Sequence, residues 1–344
     1  MLQLQNFKPI HPSLKQIVVS GVSGVIGAVG ILFAVALYVV ETLIRPKKNN
    51  PFDLYTFSPY ELDIPAEAVV FPDLHGDHKV SAWYMPCPGA TTTVLVCPGY
   101  RTRMADTLGI SAHLWKAGHN VLAFEYYGHG LEVGTPITLG YREIGDFLGA
   151  VAYAKERERA PQNHLGVIAY SMGAAVAIMA CARNNDVEAL IVDSAFASHL
   201  SVVDYNFRRA FHLPSAPFAW VADYLLWWRA GYRFRQVEPL RDIARIAPRP
   251  ILIIHGGKDS IVDPRDATLL YAAAQEPKEL LFLPNADHCG AYFEDRQAYV
   301  KKVNDFFDLH LGNVGHLQLV ESTAPESIES NDVEDRTQHL PEAS

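Results

Sequence analysis

The chain has 344 residues, of which 49% are hydrophobic and 19% are charged, so it can bury a sizeable core and does not have the composition of a disordered chain. Its 29 basic and 38 acidic residues give a formal net charge of −9, which argues against a nucleic-acid partner because phosphate neutralisation needs clustered lysine and arginine. The four cysteines lie far apart without CxxC spacing, which indicates neither a zinc site nor a disulfide framework.

The first segment is a stretch of 25 residues without a charged side chain, Gln16–Val40. As a helix it would extend about 37 Å, which exceeds the hydrocarbon core of a bilayer, about 30 Å. A cleaved secretory signal normally ends its apolar region of about 7–15 residues in small side chains, whereas Leu37–Leu43 is bulky here. We therefore predict a retained single-pass membrane anchor over about residues 16–44, followed by a polar linker. Basic residues flank both ends, so the orientation in the membrane is not predicted.

Glycines recur at every third position of this anchor, at Gly21, Gly24, Gly27 and Gly30, and Ser23 forms a small-xxx-small pair with Gly27. Such pairs let two membrane helices approach closely, which would allow a weak helix-mediated homodimer. A spacing of three spreads the glycines over about half of the helix circumference, which weakens that interpretation.

After the linker, short β-branched apolar runs alternate with helical patterns. Eight runs are predicted to be strands: Val69–Phe71, Val80–Met85, Thr93–Cys97, Val121–Tyr126, Leu165–Tyr170, Ala189–Val192, Ile251–His255 and Glu279–Leu283. The predicted helices are Asp106–Ala117, Tyr141–Arg159, Met172–Arg183, Asp266–Ala274 and Asp295–His310. This order predicts an α/β fold with an eight-stranded, mostly parallel sheet covered by helices on both faces. The first two strands have no helix between them and are predicted to form an antiparallel edge hairpin.

About sixty residues between Val192 and Ile251 interrupt the alternation and contain no good strand. Apolar helical stretches around Val202–Phe211 and Pro217–Trp228 predict a small helical cap over about residues 197–248. Beyond Leu311 the chain is rich in Ser, Glu, Asp and Pro, which predicts a disordered acidic tail over residues 313–344. The predicted units are thus an anchor with its linker (1–50), a body with its cap (51–312) and a tail.

The predicted cap is unusually rich in large apolar side chains. They are Phe207, Phe211, Phe218, Trp220, Tyr224, Leu225, Leu226, Trp227 and Trp228. They could form an apolar acyl pocket or a face that rests on lipid. Alternatively, they only pack the cap onto the sheet.

The segment Leu165–Gly173 reads LGVIAYSMG, a strand followed at once by Ser171 and a helix of small residues. This is the context of a nucleophile elbow, in which a strained turn projects the serine oxygen and needs small neighbours. The first flanking residue is Ala169 rather than glycine. The amide of Met172 begins the following helix and is a candidate oxyanion donor. An ordinary turn with an N-cap serine is the alternative.

A nucleophilic serine needs a histidine to take its proton and a carboxylate to orient that histidine. Asp259 follows a wholly apolar strand 88 residues beyond the serine, and His288 follows the next strand after a further 29 residues. This order of serine, acid and histidine fits an elbow serine. Two other aspartates compete for the acid: Asp193 at the end of the preceding strand, and Asp263, which with Pro264 has the pattern of a helix N-cap.

Other residues near these motifs have simpler interpretations. His129 precedes the serine in a glycine-flanked turn and is predicted to shape a loop, whereas His255 lies in an apolar strand and is predicted to be a core residue. The turn Pro98-Gly99 leaves the amide of Tyr100 as the second candidate oxyanion donor. Arg101 and Arg103 could hold an anionic substrate group or simply be exposed loop residues.

With the elbow, the later acid and histidine, the PGY turn and the segment EYYGHG, the chain resembles the α/β-hydrolase superfamily over about residues 52–311. Within it, the chain resembles compact membrane-tethered serine hydrolases with a short cap, esterase-like or prolyl-aminopeptidase-like. The resemblance implies an acyl-enzyme mechanism with neither a metal nor a redox cofactor. The residues to which it assigns roles are Ser171 (nucleophile), Asp259 (acid), His288 (base), and Tyr100 and Met172 (oxyanion amides). Ala169 and Cys97-Pro98-Gly99 depart from common family patterns without removing a catalytic group.

The expected reaction is hydrolysis of a small or lipid-like carboxylic ester or thioester with an apolar acyl group, at a membrane reached through residues 16–40. One alternative is an aminopeptidase-like enzyme, which would need a cap carboxylate, Asp204 or Asp223, to hold the amino terminus of its substrate. The other is a binding module of the same fold without catalysis.

Overall fold

The computed structural model describes residues 14–45, 57–129, 136–157 and 163–312. The predicted acidic tail lies outside these residues, as does most of the predicted linker. The division into anchor, body and tail stays a prediction.

In the part of the chain that the structure describes, eight strands form one sheet. They are β1 (Glu67–Pro72), β2 (Lys79–Met85), β3 (Thr92–Cys97), β4 (Asn120–Phe124), β5 (His164–Tyr170), β6 (Ala189–Asp193), β7 (Ile251–Gly256) and β8 (Lys278–Leu283). Their order in the sheet is β1-β2-β4-β3-β5-β6-β7-β8. β2 pairs antiparallel with β1 and β4, and all other neighbours are parallel. The predicted mostly parallel sheet and its antiparallel edge hairpin are confirmed.

Helices cover both faces of this sheet. The described helices are α1 (Leu14–Ile44), α2 (Leu108–Lys116), α3 (Glu143–Arg157), α4 (Met172–Cys181), α5 (His199–Phe211), α6 (Ala216–Ala230), α7 (Pro239–Asp242), α8 (Arg265–Ala273), α9 (Ala291–Glu294) and α10 (Arg296–Leu311). One buried cluster joins the sheet to α3, α4 and α8, and a second joins it to α2 and α10. Because both faces are covered, every residue of β3, β4, β6 and β7 is buried, which explains their continuous apolar sequences.

Helices α5, α6 and α7 fill the interval between β6 and β7 where the sequence predicts a cap. The aromatic residues of this segment divide into two groups. Phe207 and Phe218 stack on each other at 5.0 Å between ring centroids, and Phe218 is buried with Leu225 and Leu226. Trp220, Tyr224, Trp227 and Trp228 are exposed. Packing of the cap therefore accounts for the first group only.

The N-terminal helix α1 has 31 residues, and its part Ile26–Ile44 is long and apolar enough to cross a membrane, a test that a signal sequence can also pass. Its C-terminal half packs against the cap. Ala36, Val40 and Ile44 lie four residues apart, hence on one face of the helix, and are fully buried in a cluster with α6. The main-chain amide of Ile137 donates to the carbonyl oxygen of Ile44 at 2.9 Å, which joins the end of α1 to the body.

A buried histidine secures the first turn of the cap. His199 begins α5, is only 6% exposed, and donates from Nε2 to the carbonyl oxygen of Leu139 at 2.8 Å. Burial lowers the pKa of His199 from its ordinary value of 6.5 to about 4, although the bond to Leu139 opposes this shift. The ring is therefore neutral in the folded protein near neutral pH.

We expect the free energy of unfolding to decrease as pH falls from about 6.5 to 4. In this window His199 binds a proton in the unfolded chain but not in the folded one, which costs up to about 3 kcal/mol at the lower end. Urea denaturation at several pH values checks this, and His199→Gln should reduce the slope of the free energy of unfolding against pH. The exposed His75→Gln serves as control, and an unchanged slope in His199→Gln would contradict the assignment.

Candidate active site

Ser171 lies in a sharp turn between the end of β5 and the start of α4. Its φ of 50° and ψ of −116° place a non-glycine residue in a strained conformation, which costs about 1–3 kcal/mol. The amide of Ser171 donates to the carbonyl oxygen of Asp193 at 2.8 Å, which fixes the turn to β6. The hydroxyl makes no N-cap hydrogen bond to α4, so the interpretation as an ordinary N-cap serine is wrong.

Glycines let a second segment reach this turn. A Cβ on Gly173 would lie 2.3 Å from the carbonyl oxygen of Pro98, and a Cβ on Gly99 would lie 3.2 Å from Cβ of Ser171. The turn after β3 therefore packs directly on the serine turn. The amides of Tyr100 and Met172 belong to these two segments, and neither donates a hydrogen bond to another described residue. Their role as oxyanion donors stays a prediction.

Three side chains from separate segments meet at this turn. The hydroxyl of Ser171 lies 2.8 Å from Nε2 of His288, and Nδ1 of His288 lies 2.7 Å from Oδ2 of Asp259. The other carboxylate oxygen of Asp259 accepts the amides of Ile261 and Val262 at 2.9 and 2.8 Å. The structure thus brings together the three residues to which the sequence assigns nucleophile, acid and base.

The environment of Asp259 keeps its carboxylate ionised. Burial alone would raise its pKa, but the contacts with His255 and His288 and the amide of Val262 outweigh burial and hold the pKa well below its usual range. An ionised carboxylate beside Nδ1 can stabilise an imidazolium at His288.

The two competing aspartates have other partners. Asp193 accepts the hydroxyls of Tyr299 and Ser194, both at 2.9 Å, and burial raises its pKa. Asp263 pairs with the guanidinium of Arg265. Neither carboxylate has a hydrogen bond to His288 within the described residues.

Two contacts of Asp259 were not predicted from the sequence. Nε2 of the fully buried His255 lies 3.3 Å from Oδ2 of Asp259, although neither ring nitrogen has a hydrogen bond of regular geometry to a described residue. His255 is thus a core residue, as predicted, that also touches Asp259. The hydroxyl of Tyr205 in α5 donates to the main-chain oxygen of Asp259 at 2.8 Å, so the cap contacts the acid loop.

Two of the remaining candidates near the site, His129 and Arg103, have structural partners. His129 is buried, its amide donates to the carbonyl oxygen of Tyr126 at 3.0 Å, and its ring lies edge-on to Tyr100 at 6.1 Å between centroids. These contacts agree with a loop-shaping role. Nε of Arg103 pairs with Glu125 at 3.3 Å, which leaves the exposed Arg101 as the arginine available to an anion.

A cavity of about 580 Å³ lies elsewhere, between the β1–β2 turn and the start of α3. None of Ser171, Asp259 and His288 lines it. Two of its four acids, Asp73 and Asp146, already accept main-chain amides, and Asp146 also binds Nε2 of His78 at 2.5 Å. This cavity therefore does not define the site.

Comparison with known proteins decides the family. The model of the alpha/beta hydrolase family matches residues 94–302. The chain belongs to the α/β-hydrolase family. It is 29% identical to the protein YqkD of Bacillus subtilis over 291 residues, 82% of this chain and 92% of that protein. It is 26% identical to YfhR of Escherichia coli K12 over 250 residues, 70% and 80% of the respective chains.

Solved structures agree with this fold. The esterase Pf2001 of Pyrococcus furiosus superposes with a TM-score of 0.63 at 22% identity, covering 78% of this chain and all of the other. The α/β hydrolase GrgF from Penicillium sp. sh18 gives 0.57 at 18% identity over 72% of this chain and all of the other. The predicted fold class is confirmed, and family and fold together support a hydrolase.

Proposed function

We propose that the chain is a membrane-anchored serine hydrolase that cleaves carboxylic esters or thioesters with an apolar acyl group. The observation that carries this proposal is the hydrogen-bonded series from Ser171 through His288 to Asp259, with distances of 2.8 and 2.7 Å. Both distances lie in the range in which a histidine can take a proton from a serine while a carboxylate orients the ring.

In the proposed reaction, Oγ of Ser171 attacks the substrate carbonyl carbon and its proton moves to Nε2 of His288. The carboxylate of Asp259 stabilises the resulting imidazolium through Nδ1. The amides of Tyr100 and Met172 donate to the oxyanion. The imidazolium then protonates the leaving alcohol or thiol, and an acyl group remains on the serine. Water, deprotonated by His288, hydrolyses this acyl-enzyme and restores the hydroxyl.

The packing of α1 supports a retained anchor over a cleaved signal. Removal of α1 would uncover the cap side chains that bury Ala36, Val40 and Ile44, and it would leave Arg229 without its ion pair to Glu41. A helix-mediated homodimer stays a prediction.

The acids of the cap favour an ester substrate over a peptide with a free amino terminus. Asp204 pairs with Arg208 at 2.7 Å, and Asp223 pairs with Arg233 at 2.7 Å and accepts the amide of Phe234 at 2.8 Å. Each carboxylate is already neutralised by a cationic partner, which weakens its attraction for a substrate ammonium. The hydrogen bonds from Ser171 through His288 to Asp259 argue against a binding module, because a site that only binds does not need a serine hydroxyl held beside a base.

We expect a fluorophosphonate probe to label the full-length protein at Ser171, because a serine activated by His288 attacks the phosphorus centre. Ser171→Ala should abolish labelling, whereas the nearby Ser260→Ala should keep it. Mass spectrometry of the labelled peptide gives the position. Absence of labelling in folded protein would contradict the proposal and favour a binding module.

We expect Asp259→Asn to lower kcat for ester hydrolysis about 10⁴-fold, because the amide cannot stabilise the imidazolium of His288. The matched control is Asp193→Asn, which changes a buried aspartate that has no bond to the histidine and should retain most activity. Steady-state kinetics and circular dichroism on both variants separate catalysis from folding. Full activity in Asp259→Asn would show that another residue is the acid.

We expect kcat/KM for p-nitrophenyl esters to rise with acyl length, by up to about fourfold for each methylene that becomes buried. Aminoacyl anilides serve as the competing substrate class. A preference for the anilides would overturn the proposed ester specificity, while labelling at Ser171 would persist.

A further inference from the structure

The cap helix α6 has apolar side chains on both of its faces. Trp220, Tyr224, Trp227 and Trp228 lie at positions i, i+4, i+7 and i+8, hence on one face, and are 76%, 51%, 50% and 59% exposed. We call these four residues the aromatic stripe. The opposite face is buried, with Leu225 among its residues. A helix that is apolar all round is typical of a protein core or a membrane rather than of a surface in water.

Both charged residues of α6 are already neutralised by partners. Asp223 pairs with Arg233, and Arg229 pairs with Glu41 of α1. Paired charges are the form in which ionisable groups are tolerated near lipid. Nothing in the charge of α6 therefore requires the aromatic stripe to remain in water.

Exposed apolar side chains are also present on α1, the helix that packs against α6. Ile31, Phe33, Val35 and Tyr38 of α1 are exposed, and they lie in the half of α1 whose other face packs against α6. Exposed apolar side chains on two helices that pack together indicate a contact with a partner or a membrane. Because we propose that α1 is the membrane anchor, the bilayer is the partner that already reaches this surface.

The charge around the stripe differs from that of the chain. Residues 199–236 contain five arginines and two aspartates, and with Glu41, the partner of Arg229, the local formal net charge is +2 in a chain of −9. The guanidinium groups of Arg233 and Arg229 lie 5.2 Å from the ring centroids of Trp227 and Trp228. Tryptophans beside arginines are typical of the boundary between lipid headgroups and acyl chains, and a positive surface favours anionic headgroups.

The anchor helix α1 and the cap helix α5 touch the candidate active site. The hydroxyl of Tyr100, next to the serine turn, donates to the carbonyl oxygen of Leu43 in α1 at 2.9 Å. The hydroxyl of Tyr205 in α5 donates to the main chain of Asp259. The depth of the cap in the membrane therefore sets the distance of the site from the lipid.

We propose that the aromatic stripe of α6 lies in the interfacial layer of an anionic bilayer beside α1, so that the site takes acyl esters or thioesters directly from the membrane surface. This proposal rests on the anchor and hydrolase proposed above. It adds that the cap, and not only α1, is in contact with lipid.

Tryptophan fluorescence tests this contact, because three of the five tryptophans belong to the stripe and the others, Trp83 and Trp115, lie in β2 and α2. The full-length protein is reconstituted in vesicles of phosphatidylcholine and phosphatidylglycerol, with or without bromine on the acyl chains. The variant Trp83→Phe/Trp115→Phe keeps only the tryptophans of the stripe, and we expect bromine on the acyl chains to quench most of its fluorescence.

The matched control keeps only the two tryptophans of the body. In Trp220→Phe/Trp227→Phe/Trp228→Phe, brominated lipid should not quench the remaining tryptophan fluorescence. Subtracting the fluorescence of this variant from that of the unchanged protein gives the fluorescence of the stripe, even if the first variant does not fold.

Flotation with the vesicles separates the possible failures. Protein that floats with vesicles but keeps its stripe emission overturns the cap contact, and crosslinking between copies at α6 in that case identifies a second copy as the occupant. Protein that does not float overturns the anchor and this proposal together.

Activity provides an independent readout. Trp220→Glu/Trp227→Glu should lower turnover of a long-chain ester in anionic vesicles severalfold and leave turnover of a short soluble ester unchanged. The exposed Leu309→Glu in α10 is the control and should change neither. If Trp220→Glu/Trp227→Glu and Leu309→Glu turn over the vesicle substrate equally well, the proposal is overturned. If the unchanged protein has no activity on the soluble ester, the proposed hydrolase function itself is contradicted.

Discussion

The backbone conformation of Ser171 is the constraint on which the site depends. A non-glycine residue at a φ of 50° is stable here because its neighbours leave no alternative. Its amide is bound to the end of β6, Gly173 allows the turn after β3 to come within contact, and that turn closes over the serine. These contacts also depend on the order of the strands, because β3 and β6 lie on either side of β5 and bring their ends to Ser171.

Asp259 differs from Asp193 in its hydrogen-bond partners rather than in its burial. Asp193 and Asp259 are both buried, but hydroxyls surround the first, whereas two imidazoles and two amides surround the second. Burial dominates the pKa of Asp193 and raises it, and the partners dominate at Asp259 and lower it. One sheet edge thus holds two carboxyl groups whose pKa values shift in opposite directions, and His288 contacts the one whose pKa is lowered.

The sequence predicts the strands, the edge hairpin and the three meeting side chains because these depend on local patterns and on chain order along a parallel sheet. LGVIAYSMG carries its own turn, and Asp259 and His288 each follow a strand. The contacts made by His255 and Tyr205 could not be predicted, because they depend on how an inserted helix and a strand end approach one loop in space. The division of the cap aromatics into a buried and an exposed group was equally inaccessible, since α6 is apolar on both faces and its sequence has no polar side to orient it.

The bond from Ile137 to Ile44 and the bond from Tyr100 to Leu43 have a mechanical consequence. A domain joined to its membrane anchor by a flexible linker would sample many distances from the bilayer and many orientations. Here the last turn of the N-terminal helix is fastened to the body at two points, so helix and body would move as one unit. For the proposed membrane-anchored hydrolase, Ser171 would then stay at a nearly constant height above the bilayer. Molecules whose scissile bond lies well above or below that height would be poor substrates whatever their chemistry.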